Sequence, residues 1–390
     1  MNLSLLRRII SAAVSVVAAG LLAGLVTTGC GRPTRSTTTH VVGWGYNQSG
    51  EATGAPAAQL LTGLIAGLKA IQTSGKPDPR WATGVVSLAG TILTNVSAIA
   101  AGVSYSLALN SDGTVVSWGQ NGRGIALGYD TGHYSLTNGL VKIGGQLLTN
   151  VVAICAGNQS VALTRDGTAV TWGTDNKSGI PHFIPDVVAI ASAGQNVATV
   201  KRDGSVKVWG SSYEAPNNWN DTVAVALASS FQGHGIALRS NHTVFAWGLW
   251  LRSECQVENA VDIVAIAAGQ EHYIALRNDG VVLEWGDYAP PMAGSLSIGH
   301  PAIGLACYPA IVDGRVLDNV VAIAAGGTRR MALKRDGTVV IWGTSDWENR
   351  SSVPARLGVP AGLNNVTAIA AGDDFSLALT TNDPPLPATK

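Results

Sequence analysis

Aromatic residues and charge are both scarce in this chain. Phe, Trp and Tyr make up 6% of its 390 residues and Asp, Glu, Lys and Arg 13%, with 25 basic side chains cancelling 25 acidic ones. A balanced chain has no basic stripe of the kind that neutralises a phosphate backbone, so nucleic acid is excluded as a generic partner. Motifs of catalysis are missing too. There is no H-E-x-x-H, no G-x-S-x-G, no phosphate-cradling G-x-x-x-x-G-K-[ST], and no Cys/His spacing suited to zinc, so no catalytic residue, cofactor or metal is assigned. What is plentiful is glycine, 47 residues without the three-residue period of collagen, in a chain that is 46% hydrophobic. That composition suits many short strands joined by tight turns around a sizeable core.

The first 30 residues read as an export signal. Arg7 and Arg8 close a short positive region, and Ile9 to Cys30 carries no charge. The run Leu25-Val26-Thr27-Thr28-Gly29-Cys30 resembles a bacterial lipoprotein box, with Thr27 where a typical box has Leu. Cys30 is therefore the expected site of lipidation, giving a chain exported to the bacterial cell envelope: outer membrane, periplasm or cell surface. An uncleaved apolar anchor over the same residues is the alternative, since about 20 apolar residues span a bilayer. Residues 31–40 form a polar, Thr-rich tether, residues 41–383 the folded body and 384–390 a tail. Of the other cysteines, Cys155 lies in an apolar strand pattern and reads as a buried thiol. Cys255 and Cys307 fall in consecutive connections between repeats and are a candidate disulfide in an oxidising compartment.

The body is a repeat array. Trp44, Trp118, Trp172, Trp209, Trp247, Trp285 and Trp342 are each followed by Gly, and where the repeat is bare its period is 37 to 38 residues. Six residues before five of these tryptophans stand Asp112, Asp166, Asp203, Asp279 and Asp336, each followed by Gly. Asp-Gly between apolar runs predicts a hairpin with a type I′ turn, and this chemistry accounts for the aspartates without calcium. Upstream runs such as A-I-A-A-G carry residues small enough for a strand near a crowded axis. The first Trp-Gly strand lacks its hairpin partner, and the last A-I-A-A-G strand lacks its Trp-Gly, so the two ends complete one sheet. The prediction is an all-β fold: a seven-bladed β-propeller whose ring closes when the N-terminal strand pairs into the C-terminal blade. An open solenoid would need caps, and the Trp-Asp dipeptide of another propeller class is absent. The repeat tryptophans are read as core.

The pattern AIAAG…SLAL…DGTVVSWG resembles the regulator-of-chromosome-condensation (RCC1-like) repeat family over about 350 residues. In period and in the stretch VVGWGYNQSGEAT it is nearest in style to the family's secreted bacterial β-lactamase-inhibitory members. The resemblance implies a propeller that binds proteins with the loops of one face and has no catalytic residues. Aromatics anchor that face in the inhibitors; here several blades carry amide, Arg or Asp instead, which speaks against β-lactamase inhibition.

By topology, the turns after A-A-G and the exits from Trp-Gly share one face, and the Asp-Gly turns lie on the other. Candidate binding residues on the first face are Tyr46, Tyr105, Phe231, Trp250, Tyr273, Arg329, Arg330, Trp347 and Phe375. Aromatics and Arg on a rigid face suit a binding hot spot; packing of each side chain onto the ring is the competing reading, and for Tyr273 alternation favours it. Three connections are enlarged, 46–94, 120–149 and 287–318, the first holding a helical pattern at Leu60 to Ile71. These features give three function classes: a monomeric, lipid-anchored module for an unknown protein partner, a carbohydrate or cell-wall binder using Trp and Tyr platforms, and, last, a propeller enzyme.

Overall fold

The computed structural model describes residues 38–54, 81–129, 136–173, 179–210, 215, 219–228, 234–248, 251–270, 272–286, 307–343 and 358–381. They form seven antiparallel sheets of three or four strands, one for each Trp-Gly pair, arranged as the blades of a propeller. In the Trp118 blade the order from axis to rim is Val96–Ala101, Tyr105–Asn110, Val115–Gln120 and Leu136–Leu140. The closing blade is made from both ends of the chain: Val366–Ala371, Phe375–Thr380, His40–Tyr46 and Trp81–Val85. Its register sets Trp44 opposite Ser376 and Val42 opposite Ala378. The expected ring closure is thus present, and it removes the open edges an unclosed array would leave.

The core lies in the seams between blades. Leu107, Leu109 and Val115 of the Trp118 blade pack with Ile154, Ala162 and Val170 of the Trp172 blade, and the Trp172 ring closes the same cluster. Trp44, Trp118 and Trp285 are buried to 1% exposure or less. Alternation along each strand sends successive side chains into the two seams that flank a blade, so every blade is sealed on both faces.

The Asp-Gly hairpins differ from the expected turn. Gly113 N donates to Asn110 O at 3.0 Å and Asn110 N to Thr114 O at 2.9 Å, with Gly113 at φ 84°. Asp112 has no positive φ. The loop is therefore a three-residue type I turn ending in a left-handed glycine, not a two-residue type I′ turn. The glycine's carbonyl is thereby turned to the neighbouring blade. Val151 N donates to Gly113 O at 3.0 Å, and the same staple recurs from Val187, Thr222, Ile263, Val320 and Val366 to the preceding blade's turn. His242 takes the glycine's place in one blade at φ 66°. Asp112 Oδ1 accepts from Thr114 N and Oγ1, Asp203 and Asp336 accept likewise from Ser205 and Thr338, and Asp166 accepts from Thr164 Oγ1 and Thr168 N; those hydrogen bonds hold the aspartates below the usual carboxylate range.

Cys155 is buried, its Sγ donating to Ile190 O, and burial pushes the thiol up to about 12. Cys307 is also a free thiol, donating to Glu258 O at 3.2 Å. The expected Cys255–Cys307 disulfide is not formed, because the Cys307 sulfur is turned to that carbonyl in its own seam. Cys30 and the helical pattern at Leu60 to Ile71 lie outside the described residues.

Candidate interaction face

At one end of the ring the A-A-G turns converge on the axis. A Cβ on Gly372 would lie 2.8 Å from Gly102 O, and one on Gly326 2.4 Å from Ala371 O. Small residues are needed there because neighbouring blades touch through their backbones. The inner strands enclose an axial cavity of about 100 Å³, lined mostly by Ala and Gly together with Val103, Cys155, Ile190, Ser192, Leu227 and Asp373. The glycine of Trp-Gly has its own cause: Gly119 sits at φ 107°, and a Cβ there would be 2.7 Å from Tyr105 Cα.

The structure buries five of the nine candidate anchors. Tyr105 and Phe375 are 0% exposed, Tyr273 and Arg329 3%, and Arg330 6%. They are corrected from surface anchors to seam residues, since each stands opposite the Trp or Gly of a Trp-Gly pair and alternation turns it inward. The Tyr105 ring packs on Gly102 and its hydroxyl bonds Ser160 Oγ at 2.7 Å; Phe375 packs likewise on Gly372. Tyr273 stacks on Trp285 with centroids 5.6 Å apart, and its hydroxyl bonds His234 Nδ1. Burial pushes His234 down to about 4 and His272 well below the usual imidazole range. Tyr46 is half-buried, its hydroxyl donating to Gln48 Oε1. Phe231, Trp250 and Trp347 lie outside the described residues.

The two buried arginines have acidic partners that sequence reasoning missed. Arg330 Nε lies 3.2 Å from Glu284 Oε2, an ion pair off hydrogen-bond angle, and the same carboxylate oxygen accepts from Trp342 Nε1 at 3.0 Å. Arg329 Nη1 donates to Ser376 Oγ, and its Nη2 is 3.7 Å from Asp374 Oδ1. Burial draws Arg329 down to about 10, with Asp374 and then Asp373 opposing. Burial also pushes Asp373 up to about 6, Asp374 adding to the rise. Glu51, across the Trp44–Trp118 seam, is pushed up to about 7 by burial, with backbone N–H groups including that of Ser49 working against it. Among the described residues, the exposed tips of the A-A-G turns are Val103, Asn158, Gln195 and Asp374: an apolar side chain, two carboxamides and a carboxylate.

Two exits fold by one device. Asn47 Oδ1 accepts from Ala52 N and Thr53 N, and Asn121 Oδ1 accepts from Ala126 N and Leu127 N. Each loop then offers carbonyls to the next blade. Glu51 O accepts from Trp118 Nε1 and Ser106 Oγ; Ala126 O accepts from Trp172 Nε1 and Ile125 O from Ser160 Oγ. The shared Trp-Gly-x-Asn in WGYNQSG and WGQNGRG was the available signal.

The described blades form a closed repeat propeller with a constant interblade hydrogen bond at the Asp-Gly turns and the A-A-G turns at the other end. The family model described as the Regulator of chromosome condensation (RCC1) repeat matches residues 96–125. Protein pim1 of Schizosaccharomyces pombe is 24% identical over 348 residues, 73% of this chain and 57% of its own length. An RCC1-like G exchanging factor-like protein of Mus musculus is 30% identical over 132 residues, 29% of this chain and 28% of its own. The chain thus spans little more than half the length of one of these curated relatives and less of the other. Among solved structures, Prp20p from Saccharomyces cerevisiae superposes with a TM-score of 0.63 at 17% identity, covering 96% of this chain and 94% of that one. Human WBSCR16 gives 0.56 at 16% identity, covering 87% and 99%. Prp20p has been studied for its binding to Gsp1p and histones, and yeast Prp20 has been solved bound to Kap60. This chain is a seven-bladed propeller, with a match to the RCC1 repeat at residues 96–125.

Proposed function

We propose that this chain is an exported, envelope-anchored propeller that binds a protein partner through the face carrying the A-A-G turns and the Trp-Gly exits. One observation carries the reading. The Asp-Gly face repeats the same interblade hydrogen bond in six seams, whereas on the opposite face an equivalent backbone presents Val103, Asn158, Gln195 and Asp374. Constant scaffold with variable tips is how a rigid ring acquires a specific partner. Binding without catalysis fits the lack of catalytic motifs in the sequence. Export and anchoring rest on the apolar run Ile9 to Cys30 and the lipoprotein-like box. The carbohydrate reading would rest on Trp250 and Trp347, outside the described residues.

The test is cross-linked capture from the host's own envelope with the full chain and with Val103→Ser/Asn158→Ala/Gln195→Ala, a variant confined to exposed tips and first matched to the wild type in melting. A protein captured by the wild type and lost with the variant supports the face; equal capture by both rejects it. The mass of the mature N-terminus tests the anchor: a lipid-modified Cys30 supports it, and processing elsewhere removes it.

A further inference from the structure

The path of the chain into the ring bears on how an anchored molecule would sit. His40 pairs with Thr380 and bridges Thr94, and Thr39 Oγ1 donates to Val96 O, so the first strand begins at the Asp-Gly face and rises to Tyr46 at the other. The chain therefore enters the ring on the Asp-Gly face. Eight peptide units separate Cys30 from Thr38, which at full extension span about 28 Å. A six-residue strand is already about 20 Å tall. Passing round the rim to the opposite face would use the whole tether, whereas the Asp-Gly face lies within easy reach.

That same face carries three two-stranded hairpins that the bare repeat lacks: Ser87–Leu88 with Thr91–Ile92, Lys142–Ile143 with Gln146–Leu147, and Ile311–Val312 with Arg315–Val316. Each follows the outermost strand of its blade, which descends from the A-A-G end. Register shows where they lie: Val86 N donates to Val41 O, Val141 N to Val115 O and Ala310 N to Val282 O, all at the Asp-Gly end of the Trp-Gly strands. In each hairpin a buried leucine, Leu93, Leu148 or Leu317, anchors the returning strand. Alternation then turns its predecessor outward, and that predecessor is apolar every time: Ile92 is 43% exposed, Leu147 41% and Val316 46%. Ile311 adds another at 56%. These hairpins follow the Trp44, Trp118 and Trp285 blades, within one arc of four consecutive blades that contains the blade where the chain enters. Outward positions on a solvated hairpin call for polar residues; a repeated apolar choice around the tether's origin calls for an apolar neighbour.

We infer that the Asp-Gly face docks on the lipid surface to which the chain is anchored, through Ile92, Leu147, Ile311 and Val316, leaving the A-A-G face turned away from the membrane. This rests on the anchored reading above. It adds an orientation: the tether supplies attachment, the hairpins hold the ring down, and the variable tips are presented outward. Shallow burial of several side chains beside a lipid chain is the two-signal arrangement that makes membrane attachment stable.

The experiment uses the full chain in vesicles of phosphatidylethanolamine with phosphatidylglycerol. The photoreactive residue p-benzoylphenylalanine is placed singly at Ile92, Leu147 or Val316 and, as the opposite-face control, at Val103, which is 37% exposed in an A-A-G turn. Each variant is first matched to the wild type in melting. Lipid adducts at the three hairpin positions at least about fivefold above those at Val103 are expected. Equal adducts at both faces, or adducts only at Val103, overturn the orientation while leaving the anchor intact. Protein adducts at the hairpins in native envelopes, without lipid, overturn lipid as the occupant. A chain that washes free of the vesicles overturns the anchor and the orientation together, and that failure is read separately by fractionation.

Discussion

Removing Glu284 should open the seam between the Trp285 and Trp342 blades. Its carboxylate is the counter-charge of Arg330, whose side chain is 7% exposed, and it also accepts the Trp342 indole N–H. Glu284→Leu leaves a buried guanidinium without a partner and orphans a buried donor. Breaking a buried pair from one side costs about 3–5 kcal/mol. Because the Arg330–Glu284 contact is off hydrogen-bond angle, the low end applies to the pair, and the lost indole bond adds about 1 kcal/mol, giving about 4 kcal/mol in all. Replacing both charges by apolar groups of similar volume should recover most of this, so Glu284→Leu/Arg330→Met is expected within about 1–2 kcal/mol of the wild type. Urea midpoints for the wild type, both single variants and the double variant would give the coupling as a double-mutant cycle; with about 3 kcal/mol for Arg330→Met its expected value is about 5–6 kcal/mol. A Glu284→Leu variant within about 1 kcal/mol of the wild type, or a double variant as unstable as the sum of the singles, would refute the reasoning.

Further outcomes follow from other parts of the ring. Gly119→Ala should cost at least about 2 kcal/mol, because it forces a side chain at φ 107° into Tyr105 Cα, whereas Gly122→Ala, with nothing within 4 Å, should cost less than about 1 kcal/mol; thermal melts compare them. Glu51 binds its proton more tightly folded than unfolded, so its contribution to stability should rise as pH falls from about 7 toward its ordinary value of 4.5. Glu51→Gln should flatten that rise in urea midpoints measured at about pH 5 and about pH 8, and an unchanged difference would reject the burial. Cys155 and Cys307, whose thiols burial pushes up to about 12 and about 11, should resist iodoacetamide in the native protein and react after denaturation, and a Cys307 peptide recovered as a disulfide would contradict the free thiol.

Much of this architecture was legible in the chain alone because its causes are local and repeated. Trp-Gly seven times, Asp-Gly six residues before five of them and A-I-A-A-G with its variants are each visible without knowing what they touch, and the incomplete first and last repeats implied the closing blade. Alternation even marked Tyr273 as a residue that could turn inward. The candidate face was far less legible. Tyr105, Phe375, Arg329 and Arg330 look like surface anchors in a loop-adjacent position, and only cross-strand register against Gly119, Gly45, Gly343 and Trp342 puts them into seams.

By itself the sequence determined the class of fold, the number of blades, the manner of closure and the division of the ring into two unlike faces. Tertiary structure decided what each face carries. Glu284 and Arg330 are 46 positions apart and meet because adjacent blades stack; Glu51 O reaches Trp118 across a seam; and the glycine of Asp-Gly serves the next blade as well as its own turn. Repetition records the geometry of a blade, since each copy meets the same local constraint. Contacts between blades join residues that differ from copy to copy, so their chemistry is settled only where the sheets come together.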